Sequence, residues 1–165
     1  MKRALLLLLL AMPATAGAEG AWFADPRTGC RVWNPSPQPG ETAQWDGACV
    51  EGRAEGRGVL TWYVRERRLE RDEGEWRAGR QVGMGSQQWA GGRYRGRFAD
   101  SLPDGEGEME MSSAGLYRGH FRAGRPDGLG RLESAEGVFE GIWTAGCFRD
   151  GGRRAAFATN AADCP

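Results

Sequence analysis

Residues 94–130 read YRGRFADSLPDGEGEMEMSSAGLYRGHFRAGRPDGLG, and within them one pattern occurs twice. Tyr94, Gly96, Phe98, Ser101, Gly105 and Gly107 return as Tyr117, Gly119, Phe121, Gly124, Gly128 and Gly130. The frame is aromatic, any residue, Gly, any residue, aromatic, then a small residue three positions on, then Gly-x-Gly. Working outward, an earlier copy begins at Trp45 and keeps Gly47, Gly52, Gly56 and Gly58, with Cys49 where the second ring belongs. The next keeps Gly74, Trp76, Gly79, Gly83 and Gly85 but has Asp72 where the first ring belongs. A fifth runs Phe139, Gly141, Trp143 and Gly146, and decays at Asp150 and Gly152. The starts lie 27, 22, 23 and 22 residues apart, a period that marks a repeat array.

In a strand, positions one, three and five share a face. Each copy therefore sets two rings on one face with a bare glycine between them, over which a ring from a neighbouring hairpin can lie. The following Gly52, Gly79, Gly124 or Gly146 stands where the chain must reverse, since glycine enters positive φ without steric cost. Gly92, Gly115 and Gly137, two residues before three of the starts, read as turns into the next hairpin. The fold expected over 45–152 is all-β, an elongated array of about five stacked antiparallel β-hairpins, flanked by an N-terminal cap (19–44) and a C-terminal cap (153–165).

The recurring frame resembles the MORN (membrane occupation and recognition nexus) repeat. The resemblance implies a single twisted sheet of stacked hairpins and no enzymatic activity.

At the N-terminus, Lys2 and Arg3 precede the apolar run Leu5–Leu10, followed by Ala14, Ala16 and Ala18. This is the layout of a secretory signal peptide over residues 1–18, with an apolar run too short to span a bilayer. The expected location is periplasmic or secreted. Without that segment all the basic groups are arginines, two fewer than the 22 acids. A near-neutral, lysine-free chain is a poor partner for nucleic acid or for an anionic bilayer. Arg65, Arg67, Arg68 and Arg71 alternate with Glu66, Glu70 and Asp72 and read as a solvated hairpin tip.

The exported part holds six Val, one Ile and six Leu against seven Trp, six Phe and three Tyr. Its core must come from rings, each removing about 150–250 Å² from water. Four cysteines flank the array: Cys30 and Cys49 before it, Cys147 and Cys164 after it. Ten strands at about 4.8 Å would separate the two ends by roughly 40 Å, whereas a disulfide needs Cα atoms within about 7 Å. The expected pairs are Cys30–Cys49 and Cys147–Cys164, stapling the caps. Between Cys30 and Trp45, the stretch Asn34-Pro35-Ser36-Pro37-Gln38-Pro39-Gly40 reads as a rigid connector.

No constellation for catalysis stands out, and no cofactor is implied. His120 is the single histidine, set between Gly119 and Phe121, so it points away from the ring face. Nucleophile systems of the Ser–His or Cys–His kind have no other base to use. Glu106, Glu108 and Glu110 share one strand face, with Asp104 and Asp127 near. The row reads as a solvated face, a weak cation site being the alternative.

Two functions remain. One is a non-enzymatic exported scaffold binding a protein or peptide through accessible ring surface on Trp76, Tyr94, Phe98, Tyr117, Phe121 and Trp143. The other is a module for glycans or lipid surfaces, with Trp62 and Trp89 as exposed platforms. Burial of Trp62 and Trp89 would remove the main support of the second. Open sheet edges also permit a dimer.

Overall fold

A computed structural model describes residues 20–164. It is an all-β chain whose strands join in one sheet, with a single 3-10 turn at Ala161–Asp163 as its only helical element among the described residues. The signal-peptide segment 1–18 lies outside the described residues.

Five hairpins carry the repeats. They are β3 (Glu41–Val50) with β4 (Arg53–Val64), β5 (Arg67–Arg77) with β6 (Arg80–Trp89), β7 (Gly92–Ala99) with β8 (Leu102–Met111), β9 (Gly115–Arg122) with β10 (Arg125–Ser134), and β11 (Gly137–Thr144) with β12 (Cys147–Asp150). Each tip is a two-residue turn with both φ positive: Glu51-Gly52, Ala78-Gly79, Asp100-Ser101, Ala123-Gly124 and Ala145-Gly146. This mirror-type turn matches the right-handed twist of the flanking strands. The third tip departs from glycine, and Ser101 takes up φ 65° there. Its hydroxyl accepts from the Gln81 amide at 3.0 Å while its own amide donates to the Gln81 carbonyl at 3.1 Å. Gly92, Gly115 and Gly137 begin the following strands rather than forming the turns.

Cross-strand partners align the central glycines into a spine: Gly47↔Gly58↔Gly74, then Gly85↔Gly96↔Gly107↔Gly119↔Gly130↔Gly141. Beside it the register slips, as between Pro126 and Gly130, and Gly128 at φ 112° supplies the left-handed residue such a bulge needs.

The caps close over the hairpin tips. The short hairpin β1 (Ala21–Ala24) and β2 (Arg31–Asn34) crosses the first two tips, where the Arg31 and Trp33 amides donate to the Gly52 and Gly79 carbonyls at 3.0 and 2.8 Å. At the other end β13 (Arg153–Ala156) pairs with β12, and the Phe157 amide donates to the Gly146 carbonyl at 2.9 Å. Both cysteine pairs form as expected: Cys30–Cys49 with Cα atoms 5.9 Å apart, and Cys147–Cys164 at 5.5 Å. Two buried clusters result, one from Cys30 to Trp76 and one from Tyr94 to Phe157.

Candidate binding surfaces

The six rings expected to offer accessible surface are all core. Trp76, Tyr94, Phe98, Tyr117, Phe121 and Trp143 are each no more than 4% exposed. One sheet achieves this because the first rings Trp45, Tyr94 and Tyr117 lie down along their own strands, over the glycine spine. Tyr117 covers Gly119 and Gly130, so that a Cβ on either would meet its phenol. Tyr94 covers Gly96 and Gly107 in the same way, and Trp45 covers Gly47 and Gly58. The ring over these six glycines thus comes from the same repeat, whereas at Gly85 a Cβ would meet Phe98 of the next hairpin at 3.3 Å.

A polar tip fixes each ring in place. The Tyr94 and Tyr117 hydroxyls donate to the carbonyls of Arg97 and His120, at 2.9 and 3.2 Å, and the Trp45 indole N–H donates to the Ala48 carbonyl at 2.8 Å. Burial pushes both phenols above their ordinary range, Tyr117 to about 12. The second rings of the third and fourth repeats then stand edge-on to the tyrosines: Tyr94–Phe98 at 5.1 Å, Tyr94–Phe121 at 5.0 Å and Tyr117–Phe121 at 5.1 Å. Such T-shaped contacts add to simple burial. Phe157 stacks on Tyr117 at 5.7 Å and shuts the C-terminal end.

Trp62 is 4% exposed and its indole N–H donates to Asp72 Oδ2 at 3.1 Å. Trp89 is half-buried over Gly92. The glycan or lipid reading loses Trp62 as a platform.

The acidic row belongs to the opposite, solvent-facing side. Glu108 meets Arg118 at 2.7 Å, Glu110 meets Arg93 at 2.7 Å, and Glu106 lies 3.8 Å from His120, which is half-exposed and points away from the rings as expected. Exposed pairs of this kind contribute little each. Asp104 and Asp127 have a different task that the sequence reading missed. Their carboxylates accept from the amides of Ala123 and Ala145, at 3.1 and 3.2 Å, and Glu55 accepts from Ala78 at 2.8 Å. Each acid just ahead of a Gly-x-Gly clamps the tip of the next hairpin. The signal lay in its fixed place before the glycine pair.

On the same outer side Met84, Leu129 and Ile142 are 61, 69 and 62% exposed. Leu129 and Ile142 are direct cross-strand partners, and Arg131 and Glu140 pair beside them at 2.7 Å.

The second repeat is built differently. Asp72 stands where a ring should cover Gly74 and Gly85, and the Gln81 amide group takes the place of the ring, its Nε2 donating to the Glu73 carbonyl at 3.3 Å. Gln81 is itself buried, and Asp72 is 4% exposed. Burial and the neighbouring Glu70 carboxyl hold Asp72 well above the usual carboxylate range, and burial raises Glu70 also. By contrast Asp25, in the β1–β2 turn, is held at about 2 by the Arg27 guanidinium and by the amides of Trp45 and Arg27, both at 2.8 Å.

The MORN repeat model matches the chain at residues 46–64, 73–92, 94–113 and 117–138. These four segments coincide with the first four hairpins; the fifth, β11–β12, continues the same geometry beyond the last match. No curated protein matches the chain. With four tandem matches on a frame of glycines and rings, and a hairpin for each, the chain belongs to the MORN repeat family.

Proposed function

We propose that this chain is an exported, non-enzymatic scaffold that holds a protein or peptide partner on the outer face of the sheet. MORN repeats are repeat binding modules, and a sheet that turns its rings inward offers a partner the opposite side. The carrying observation is the exposed Leu129–Ile142 pair, with Met84 on the same face, among arginine and glutamate side chains. Exposed apolar surface rimmed by charge is the usual make-up of an interaction site. Two structural disulfides belong to a non-reducing compartment, which agrees with the signal-peptide layout of residues 1–18.

The test is affinity capture from the exported fraction with the wild-type chain and with Leu129→Glu/Ile142→Glu. Surface changes of this kind shift stability by about 0.5 kcal/mol or less. A protein retained by the wild type and lost from a variant of unchanged melting temperature supports the reading. Equal retention by both, or none by either, overturns it.

A further inference from the structure

Replacement of the ring by Asp72 leaves a cavity of about 280 Å³ between the second repeat and the proline-rich connector. Trp33, Trp62 and Trp76 line it together with the carboxyls of Glu41, Glu70 and Asp72. Most of the local donors are already committed. Asn34 Nδ2 and the Gln38 amide both bind Glu41 Oε2, at 2.8 and 2.9 Å; Gln87 Nε2 binds Glu70 Oε1 at 2.8 Å; and Trp62 Nε1 binds Asp72 Oδ2 at 3.1 Å. Asp72 Oδ1 is fully shielded from solvent and accepts no N–H or hydroxyl hydrogen bond among the described residues, its carboxyl lying against that of Glu70. The adjacent Arg80 guanidinium is committed elsewhere, stacking on Trp33 at 4.4 Å and on Trp22 at 5.5 Å, and lying 3.7 Å from Asp100.

We propose that this cavity binds an organic cation, an aliphatic ammonium or guanidinium group whose N–H donors meet the Glu70–Asp72 carboxyl pair while its charge lies among Trp33, Trp62 and Trp76. Several acids without a free cation select positive charge. Aromatic walls favour an organic cation over a hydrated one. A metal ion fits less well, because no three acidic, histidine or cysteine side chains among the described residues are grouped as a metal site. An outer hollow of about 270 Å³ lies against the same Gln38, Leu69, Glu70 and Gln87 and extends to Trp89. Entry end-on by a side chain or a slender amine requires the Gln87–Glu70 side chains between the two spaces to part. The titratable groups facing Asp72 are Glu70 and Glu41, with Arg80 behind Trp33; Gln81, Gln87 and Trp62 are neutral. Burial raises both Asp72 and Glu70, and a cation beside them lowers them again, so binding should release protons.

The experiment titrates the whole exported chain with n-butylguanidinium, n-butylammonium and N-acetylarginine N-methylamide, with n-pentanol as the uncharged control. Binding is read from the Trp62 indole N–H resonance and by calorimetry in two buffers of different ionisation enthalpy. The expected result is saturable binding of at least one cation with proton release and none of pentanol. Asp72→Asn should weaken binding by about tenfold or more, as for a lost hydrogen bond to a charged group. Glu70→Gln carries the same test should Asp72→Asn not fold. Binding of the arginine derivative as tight as that of butylguanidinium assigns the site to a peptide side chain, and binding of the free amines alone assigns it to a small amine. Leu129→Glu should leave these affinities unchanged, which separates this site from the outer face. No saturable response to any cation, equal affinity for pentanol, or undiminished binding by the folded cavity variants overturns the proposal.

Discussion

From Tyr94 onward each repeat packs ring against ring, with tyrosines laid over paired glycines and phenylalanines standing between them; from Trp45 to Trp76 the same frame carries an acid, an amide and a cavity. The C-terminal cluster from Tyr94 to Phe157 is continuous across three hairpins and the cap. Its N-terminal counterpart needs Val32 and Cys30 from the cap hairpin to complete it, with Phe23 edge-on to Trp62 at 5.3 Å. Where the frame is intact, the repeats bury themselves. Where it is broken, the cap does part of the work and the buried Asp72 carboxyl is left against that of Glu70.

The sharpest way to break this comparison is to fill the glycine spine in each half. A Cβ on Gly119 would meet the Gly130 Cα and the Leu129 carbonyl at 2.5 Å, backbone that cannot swing aside. Gly119→Val should cost about 3 kcal/mol, the upper end for overpacking. Gly74 is looser, with its nearest atoms at 3.0–3.1 Å and one of them the end of Gln81. Gly74→Val should cost clearly less in the same thermal melt. Equal losses would mean that the two halves are packed alike.

Next in size is the pair of oppositely perturbed acids. Asp25 is held at about 2 in the folded chain against an ordinary 3.8. Its contribution, about 2 kcal/mol, is present above pH 3.8 and is lost as the pH falls towards 2. Asp25→Asn should remove most of it at neutral pH. Asp72 is shifted the other way, so its contribution is full below the ordinary carboxylate range and is lost as the pH rises through its raised folded value. Asp72→Asn should therefore stabilise the chain at neutral pH, by about 1 kcal/mol for a buried group left unsatisfied. The measurement is the urea midpoint against pH: Asp25→Asn should flatten its acid limb and Asp72→Asn its neutral limb.

The smallest effect separates a ring from its polar tip. Tyr117→Phe keeps the ring over Gly119 and Gly130 but removes the bond to the His120 carbonyl, a loss of about 1 kcal/mol. A larger loss would show that the hydroxyl, more than the area it covers, fixes the ring.

Much of the fold was legible because glycine and aromatic positions carry backbone information. Gly52, Gly79, Gly124 and Gly146 announced positive φ, and two of the cysteines at each end could meet only locally in an elongated array. Ring accessibility was not legible. Alternation told which face Tyr94 and Tyr117 occupy, but not that each would fold down along its strand, since that depends on a cross-strand glycine brought opposite by register. Gly130 is eleven residues from Gly119 in the chain and directly opposite it in the sheet. The clamping role of Asp104 and Asp127 was hidden for the same reason: the amides they hold belong to the next hairpin.

The sequence by itself determined the repeat, its hairpin turns, the strand alternation and the cysteine pairing, because each is set by local stereochemistry or by chain length. Only the tertiary structure decided which side of the sheet keeps apolar side chains exposed and what became of Asp72. A residue's solvation depends on what neighbouring strands and the cap place over it. Asp72 read as one more charge in a hairpin tip; three tryptophans and a proline-rich connector made it a buried acid.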